Sequence, residues 1–203
     1  MSVAIRFGFL SALGLFAVGI AYIVVVAIGV SQAGLSSPIR DPILAVMEVL
    51  TLLSALLLLI LMAAIREYAT EERRLFGTLA LTFAGIMTGL TCAVHFVTLT
   101  AGRQTDFTVL EWPSGLYAVE LLAWDVFLGL SLLFAAFVFT GSRFHSAVRW
   151  VLVLSGSLAL IGTIGPINGN MALQRLGILG YGFGLPIAAL MLAVLFRRDE
   201  LRP

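Results

Sequence analysis

The chain has 203 residues, 61% of them hydrophobic and 11% charged, with a net charge of +1 and a mean hydropathy of +1.09. A soluble domain needs more polar surface than this, so the composition points to an integral membrane protein. A single cysteine excludes an intrachain disulfide, a CxxC redox centre and a cysteine-rich metal site, and no basic stripe with interleaved aromatics is present for nucleic acid.

A bilayer core takes about 20 apolar residues per helix, and six runs meet that length. The first, Phe7 to Val30, is too long for the apolar region of a cleaved leader and reads as a membrane helix. "SQAGLSSPIRDP" then breaks the chain before the second run, Pro42 to Ile65. Its inner half, "ALLLLILMAA", is nearly all leucine and is expected to face lipid on most sides. "REYATEERR" leads into the third run, Leu75 to Ala101. Here Thr88, Thr91, His95 and Thr98 recur at helical spacing and share one face, which should point into a bundle rather than at lipid.

"AGRQTDFTVLEWPSG" separates this run from the fourth, Ser114 to Thr140. In that run Tyr117, Glu120, Trp124 and Ser131 fall on one face, while Asp125 points some 140° away from Glu120 at about 100° per residue. The fifth run, Ala147 to Gly165, follows "GSRFH". The sixth, Leu176 to Phe196, follows "GPINGNMALQR", in which Asn168, Asn170 and Gln174 form a polar outer loop above the layer of ionisable residues, read as turn in preference to the lining of an entrance. "GYGFG" sets Gly180 and Gly184 four apart, a spacing that lets helix backbones approach closely. Trp112 and Trp150 fall at opposite boundaries, as interfacial anchors do.

The fold expected is all-α: one domain over residues 1–203, a bundle of six transmembrane helices. Arginine distribution sets its direction. With the N-terminus in the cytoplasm, Arg6, Arg66, Arg73, Arg74, Arg143, Arg149, Arg197, Arg198 and Arg202 are cytoplasmic, and only Arg40, Arg103 and Arg175 are outside. Both termini are therefore expected in the cytoplasm. All 12 basic residues are arginine, a bias of GC-rich coding sequence that suits a bacterial inner membrane.

One coincidence of depth stands out. Glu48, His95 and Glu120 come from three different runs, and each lies roughly 10 Å inside the outer boundary at 1.5 Å per residue. Tyr22 and Tyr181 reach nearly the same layer, and Asp125 lies deeper, near the midplane. A charge in hydrocarbon costs at least about 2.5–3.5 kcal/mol, so such residues mark function by default. Two carboxylates around an imidazole suit proton loading and release in a transporter or gated pore. The same trio is compatible with a divalent metal such as zinc in a membrane-embedded enzyme, although no HxxxH or ExxH pair accompanies His95. The bland alternative is a hydrogen-bonded cluster fixing helix register, in a helper subunit of a larger membrane complex or in a homo-oligomer. The expected pocket residues are Glu48, His95, Glu120, Asp125, Tyr22, Tyr117, Trp124 and Tyr181. The expected partners are lipid and a small molecule or ion. His145 falls at the opposite boundary from His95, which argues against a haem held between the two.

Overall fold

A computed structural model describes residues 3–34, 39–104 and 112–200, without the side chains of residues 199 and 200. Among the described residues there is no strand, and six helices are long and apolar enough to cross a membrane. They are α1 (Val3–Ala33), α2 (Ile43–Tyr68), α3 (Glu71–Arg103), α4 (Gly115–Ala136), α5 (Arg143–Ile167) and α6 (Met171–Arg198). Arg202 and much of the two turns before α2 and α4 lie outside the described residues.

Local chemistry sets the helix ends. Gly34 and Gly169 adopt positive φ just beyond α1 and α5, where a left-handed residue closes a helix, and Gly141 adopts positive φ in the turn between α4 and α5. The Ser114, Ser142 and Asn170 side chains accept backbone N–H groups at the starts of α4, α5 and α6. α6 therefore begins a turn earlier than the apolar run implied, and that turn brings Gln174 inside the bundle.

Each helix packs on its neighbours in sequence, and α6 returns to α1, so the six form a ring in chain order. The end holding both termini is called here the terminal end, and the other the distal end. The terminal half of the ring is filled by large side chains, among them Leu58, Leu61, Met62, Leu132, Phe139, Leu192 and Phe196. The leucine-rich half of α2 is thus not mainly a lipid face. Leu58, Leu61 and Met62 are buried where α2 lies between α1 and α3, and only one side, with Leu53, Leu56 and Ile60, is exposed.

Glycines let α4, α5 and α6 approach at backbone distance. A Cβ on Gly156 would lie 2.7 Å from Gly129 O, one on Gly162 would lie 2.8 Å from Gly177 Cα, and one on Gly180 would lie 2.6 Å from Ser155 O. Polar groups cross between helices in the same core. Thr88 Oγ1 donates to Ala55 O at 3.0 Å, tying α3 to α2, and Ser131 Oγ donates to Ala80 O at 2.9 Å, tying α4 to α3. Thr91, His95 and Thr98 are buried with Thr88, so the stripe on α3 faces inward as its spacing requires.

The two ends differ in chemistry. At the terminal end the guanidinium groups of Arg149, Arg197 and Arg198 lie over the rings of Phe137, Phe9 and Phe144. There Tyr68 Oη and His145 Nε2 are 2.8 Å apart, and Ser142 Oγ is 2.6 Å from His145 Nδ1, so both ring nitrogens of His145 are engaged. At the distal end Arg103 donates to Asp41 Oδ2 at 2.9 Å and Oδ1 at 3.0 Å, and to Glu48 Oε2 at 3.4 Å, clamping α3 to the start of α2. The Arg103 guanidinium holds the Asp41 carboxyl below its ordinary range.

Candidate functional site: a half-apolar pocket in the distal half of the ring

The interior of the distal half is hollow. A cavity of about 350 Å³ lies within the ring, a size in the range of small-molecule sites. Its apolar wall comes from Leu15, Gly19, Leu44, Met47, Leu185 and Pro186, and its polar groups come from Tyr22, Thr51, His95, Tyr117, Glu120 and Trp124.

At its polar side, His95 Nε2 of α3 lies 3.0 Å from Glu120 Oε1 of α4, with side-chain exposures of 6% and 14%. That contact joins two of the three ionisable residues placed in one layer by the sequence. The third goes elsewhere. Glu48 is buried but does not line the cavity, and its carboxylate turns outward to Arg103, whose second partner is Asp41. The pull is electrostatic: a guanidinium close to the distal surface offers Glu48 a cation that the interior does not. Among the described residues, no three His, Cys, Asp or Glu side chains are grouped to hold a metal ion. The Glu48, His95 and Glu120 trio is therefore not assembled as a zinc site.

Tyr22, Tyr117, Trp124 and Tyr181 all line the cavity. The rings of Trp124 and Tyr181, both lining the cavity, are 5.5 Å apart between centroids and join α4 to α6. Asp125 does not line it. As its helical angle from Glu120 requires, it points to a different face, where it is fully buried against α6. Its Oδ2 accepts from Gln174 Nε2 at 3.4 Å, and the same Nε2 donates to Tyr181 Oη at 3.0 Å. Tyr181 and Gln174 thus form a hydrogen-bonded path from the cavity wall to Asp125.

Both helices carrying this path are locally unwound to π geometry, α4 over Leu122–Phe127 and α6 over Gly180–Gly184. Single π turns inside α-helices recur at functional sites, since they re-aim side chains that a regular helix would stack. Here they carry Trp124 and Asp125 on one side and Tyr181 on the other.

Four residues of the site have buried polar atoms without a hydrogen-bond partner among the described residues: His95 Nδ1, Glu120 Oε2, Trp124 Nε1 and Asp125 Oδ1. The first three belong to cavity-lining residues. Buried polar groups in folded proteins are nearly always satisfied, so this clustering is informative.

Sequence reasoning missed Gln174, taken as part of an outer turn, and the contributions of Thr51, Ser54 and Met47 to the wall. A signal for Gln174 existed. Gly162 and Gly165 of α5 lie against Gln174, and Gly177 lies one turn beyond it, so small residues mark a close helix contact that an inward amide can reach. No family model, curated protein or solved structure matches the chain.

Proposed function

We propose that this chain is a single-domain, multi-pass protein of a bacterial cytoplasmic membrane, with both termini in the cytoplasm. It binds a small molecule in the distal pocket and carries it across the bilayer, with proton exchange at the His95–Glu120 pair. The observation that carries the reading is the convergence of three polar atoms without a partner among the described residues, His95 Nδ1, Glu120 Oε2 and Trp124 Nε1, on residues lining one cavity. A cluster serving only helix register would satisfy its own hydrogen bonds. Arginine asymmetry supports the direction: the terminal end holds Arg6, Arg66, Arg73, Arg74, Arg143, Arg149, Arg197 and Arg198. The π turns at facing positions on α4 and α6 supply elements able to repack around a ligand. An imidazole joined to a carboxylate inside an apolar wall is a pair able to exchange one proton with a ligand.

The test is direct. Protein purified into lipid nanodiscs is extracted and its bound small molecules are analysed by mass spectrometry. A component present near one per protein, lost in Glu120→Gln and His95→Ala but kept in Thr78→Ala, supports the reading. Its uptake into proteoliposomes then depends on a pH gradient in the wild type alone. Identical extracts from wild type and both pocket variants overturn it.

A further inference from the structure

The ring is not closed along its whole length. Among the described residues α1 packs extensively on α2 and on α6 from Leu185 onward, but at most slightly on α4 and on the Met171–Gly184 half of α6. Gly19 lies close against Pro186, where an added Cβ would lie 2.8 Å from Pro186 Cγ. Beyond it, towards the distal end, α1 and α6 separate. The residues flanking the gap are those of the cavity: Tyr22 on α1, with Ile178 and Gly182 on α6. Their outward neighbours Val24, Leu179 and Phe183 are exposed and apolar, as a lipid-facing surface is.

The cavity's polarity runs along the bundle axis. Leu15, Leu185 and Pro186, with Ser54 of α2, wall its deeper part, and the ionisable Glu120 and His95 with Tyr117 lie nearer the distal end beside the apolar Leu44 and Met47. From Leu15 to Tyr22 the α1 wall rises roughly 10 Å at 1.5 Å per residue. A lipid-like molecule in the distal leaflet has the same polarity, head outward and apolar body towards the midplane.

The polar groups define the head. Among the described residues Glu120 Oε2 is an acceptor without a donor and Trp124 Nε1–H a donor without an acceptor, on residues four apart along one face of α4. A hydroxyl satisfies both, donating to the carboxylate and accepting from the indole. His95 already provides the carboxylate with a cationic or donor partner, so a neutral head fits better than a second charge, whose desolvation nothing else would offset.

We infer that the pocket takes an uncharged, hydroxyl-headed amphiphile, an alcohol or phenol with an apolar body, and that it enters sideways from the bilayer between α1 and α6. This rests on the pocket reading above and names its ligand class and route.

Gly182 provides a way to close the route without disturbing the fold, because a Cβ there meets only Ile178 Cγ2, at 3.6 Å. Trp124 provides the reporter: in a Trp112→Phe, Trp150→Phe protein it is the only tryptophan left. The protein is placed in nanodiscs of phosphatidylcholine brominated along one acyl chain. Trp124 emission is expected to fall by half or more. Gly182→Leu, and in smaller degree Gly182→Ala, restores it. Para-octylphenol changes the emission at least tenfold more potently than octylbenzene at equal membrane concentration, and Glu120→Gln erases that difference.

Quenching by aqueous iodide but not by brominated lipid, unchanged in Gly182→Leu, overturns sideways entry while leaving the pocket reading intact. Equal potency of phenol and hydrocarbon overturns the hydroxyl head. A greater response to octylammonium than to octylphenol replaces it with a cationic one. No response to any of the three probes, together with an empty extract in the mass-spectrometric experiment, overturns the pocket reading itself.

Discussion

Asp125 and Gly177 touch across the α4–α6 contact: a Cβ added to Gly177 would lie 2.6 Å from Asp125 Oδ1 and 3.2 Å from its Cγ. The carboxyl group occupies the space that any side chain at 177 would need, and Gly162 of α5 closes the other side, with its Cα 3.4 Å from the same point. Overpacking of this kind costs about 1–3 kcal/mol. Gly177→Ala is therefore expected to lower the unfolding midpoint measured by intrinsic fluorescence. The same change made in Asp125→Ala should cost clearly less, because the clashing atoms are gone. Additive effects of the two changes would show that the contact does not matter.

Gly184 makes a second such contact, with Ser155. An added Cβ would clash with Ser155 Oγ and lie 3.0 Å from Ser155 Cβ. Gly184→Ala is expected to destabilise the protein by about 1–3 kcal/mol. Pairing it with Ser155→Gly should recover most of the loss in thermal unfolding. Failure of the pair to recover would place the strain elsewhere in α6.

The interhelical bond from Thr88 Oγ1 to Ala55 O holds α3 on α2 within the apolar core. Bonds of this type between membrane helices contribute about 0.6 kcal/mol on average and up to about 1.7. Thr88→Val keeps the shape and removes the donor, so a loss within that range is expected. Thr78, whose hydroxyl only bonds back to Arg74 O on an exposed face, should lose close to nothing on the same change. Steric-trap or denaturant unfolding in detergent measures both.

The Arg103 clamp has a pH sense that follows from Asp41. Its carboxyl is held below the ordinary 3.8 by the guanidinium. A depressed carboxylate contributes stability in full above its unfolded value, and loses it as pH falls through the lowered folded value. The distal end of α2 is thus expected to stay protected from hydrogen exchange at neutral pH and to loosen in acid. Asp41→Asn should show the loosened state at neutral pH, with little further change on acidification. Screening keeps the effect small, since both partners are partly exposed.

The proposed direction in the membrane is checked by labelling. In a Cys92→Ser background, a cysteine replacing Gly102 at the distal end is expected to react with an impermeant maleimide on intact cells. One replacing Gly141 at the terminal end should react only after lysis. The reverse pattern would invert the orientation and place the pocket towards the cytoplasm.

Much of this architecture is legible without coordinates because hydrocarbon imposes one rule on every helix: apolar length. The six runs, the inward stripe of α3 and the common depth of His95 and Glu120 all follow from length, period and rise. What sequence could not reveal was competition among partners. Glu48 lies at the right depth to meet His95, yet a guanidinium one helix away draws it outward. Depth is one-dimensional, and rotation about the helix axis decides the rest. Gln174 fails for a different reason. A polar residue beside Asn168, Gly169 and Asn170 reads as turn, and only the cap made by Asn170 shows that the helix has already begun. The π turns leave no clear sequence signature, so the side chains of Trp124 and Tyr181 could be placed by layer but not paired.

The order of helices around the ring has a consequence for biogenesis. The extensive packing joins helices adjacent in the chain and the first to the last, while α4 meets α6 locally at Trp124–Tyr181 and Asp125–Gln174. Five helices can therefore associate as they emerge, while the binding chamber still lacks a wall. Until the sixth is inserted, Glu120 and Trp124 face lipid on the side that Tyr181 later covers, and Asp125 has no Gln174. A nascent protein thus exposes its costliest side chains until translation is nearly finished, and completing the last helix both buries them and creates the chamber.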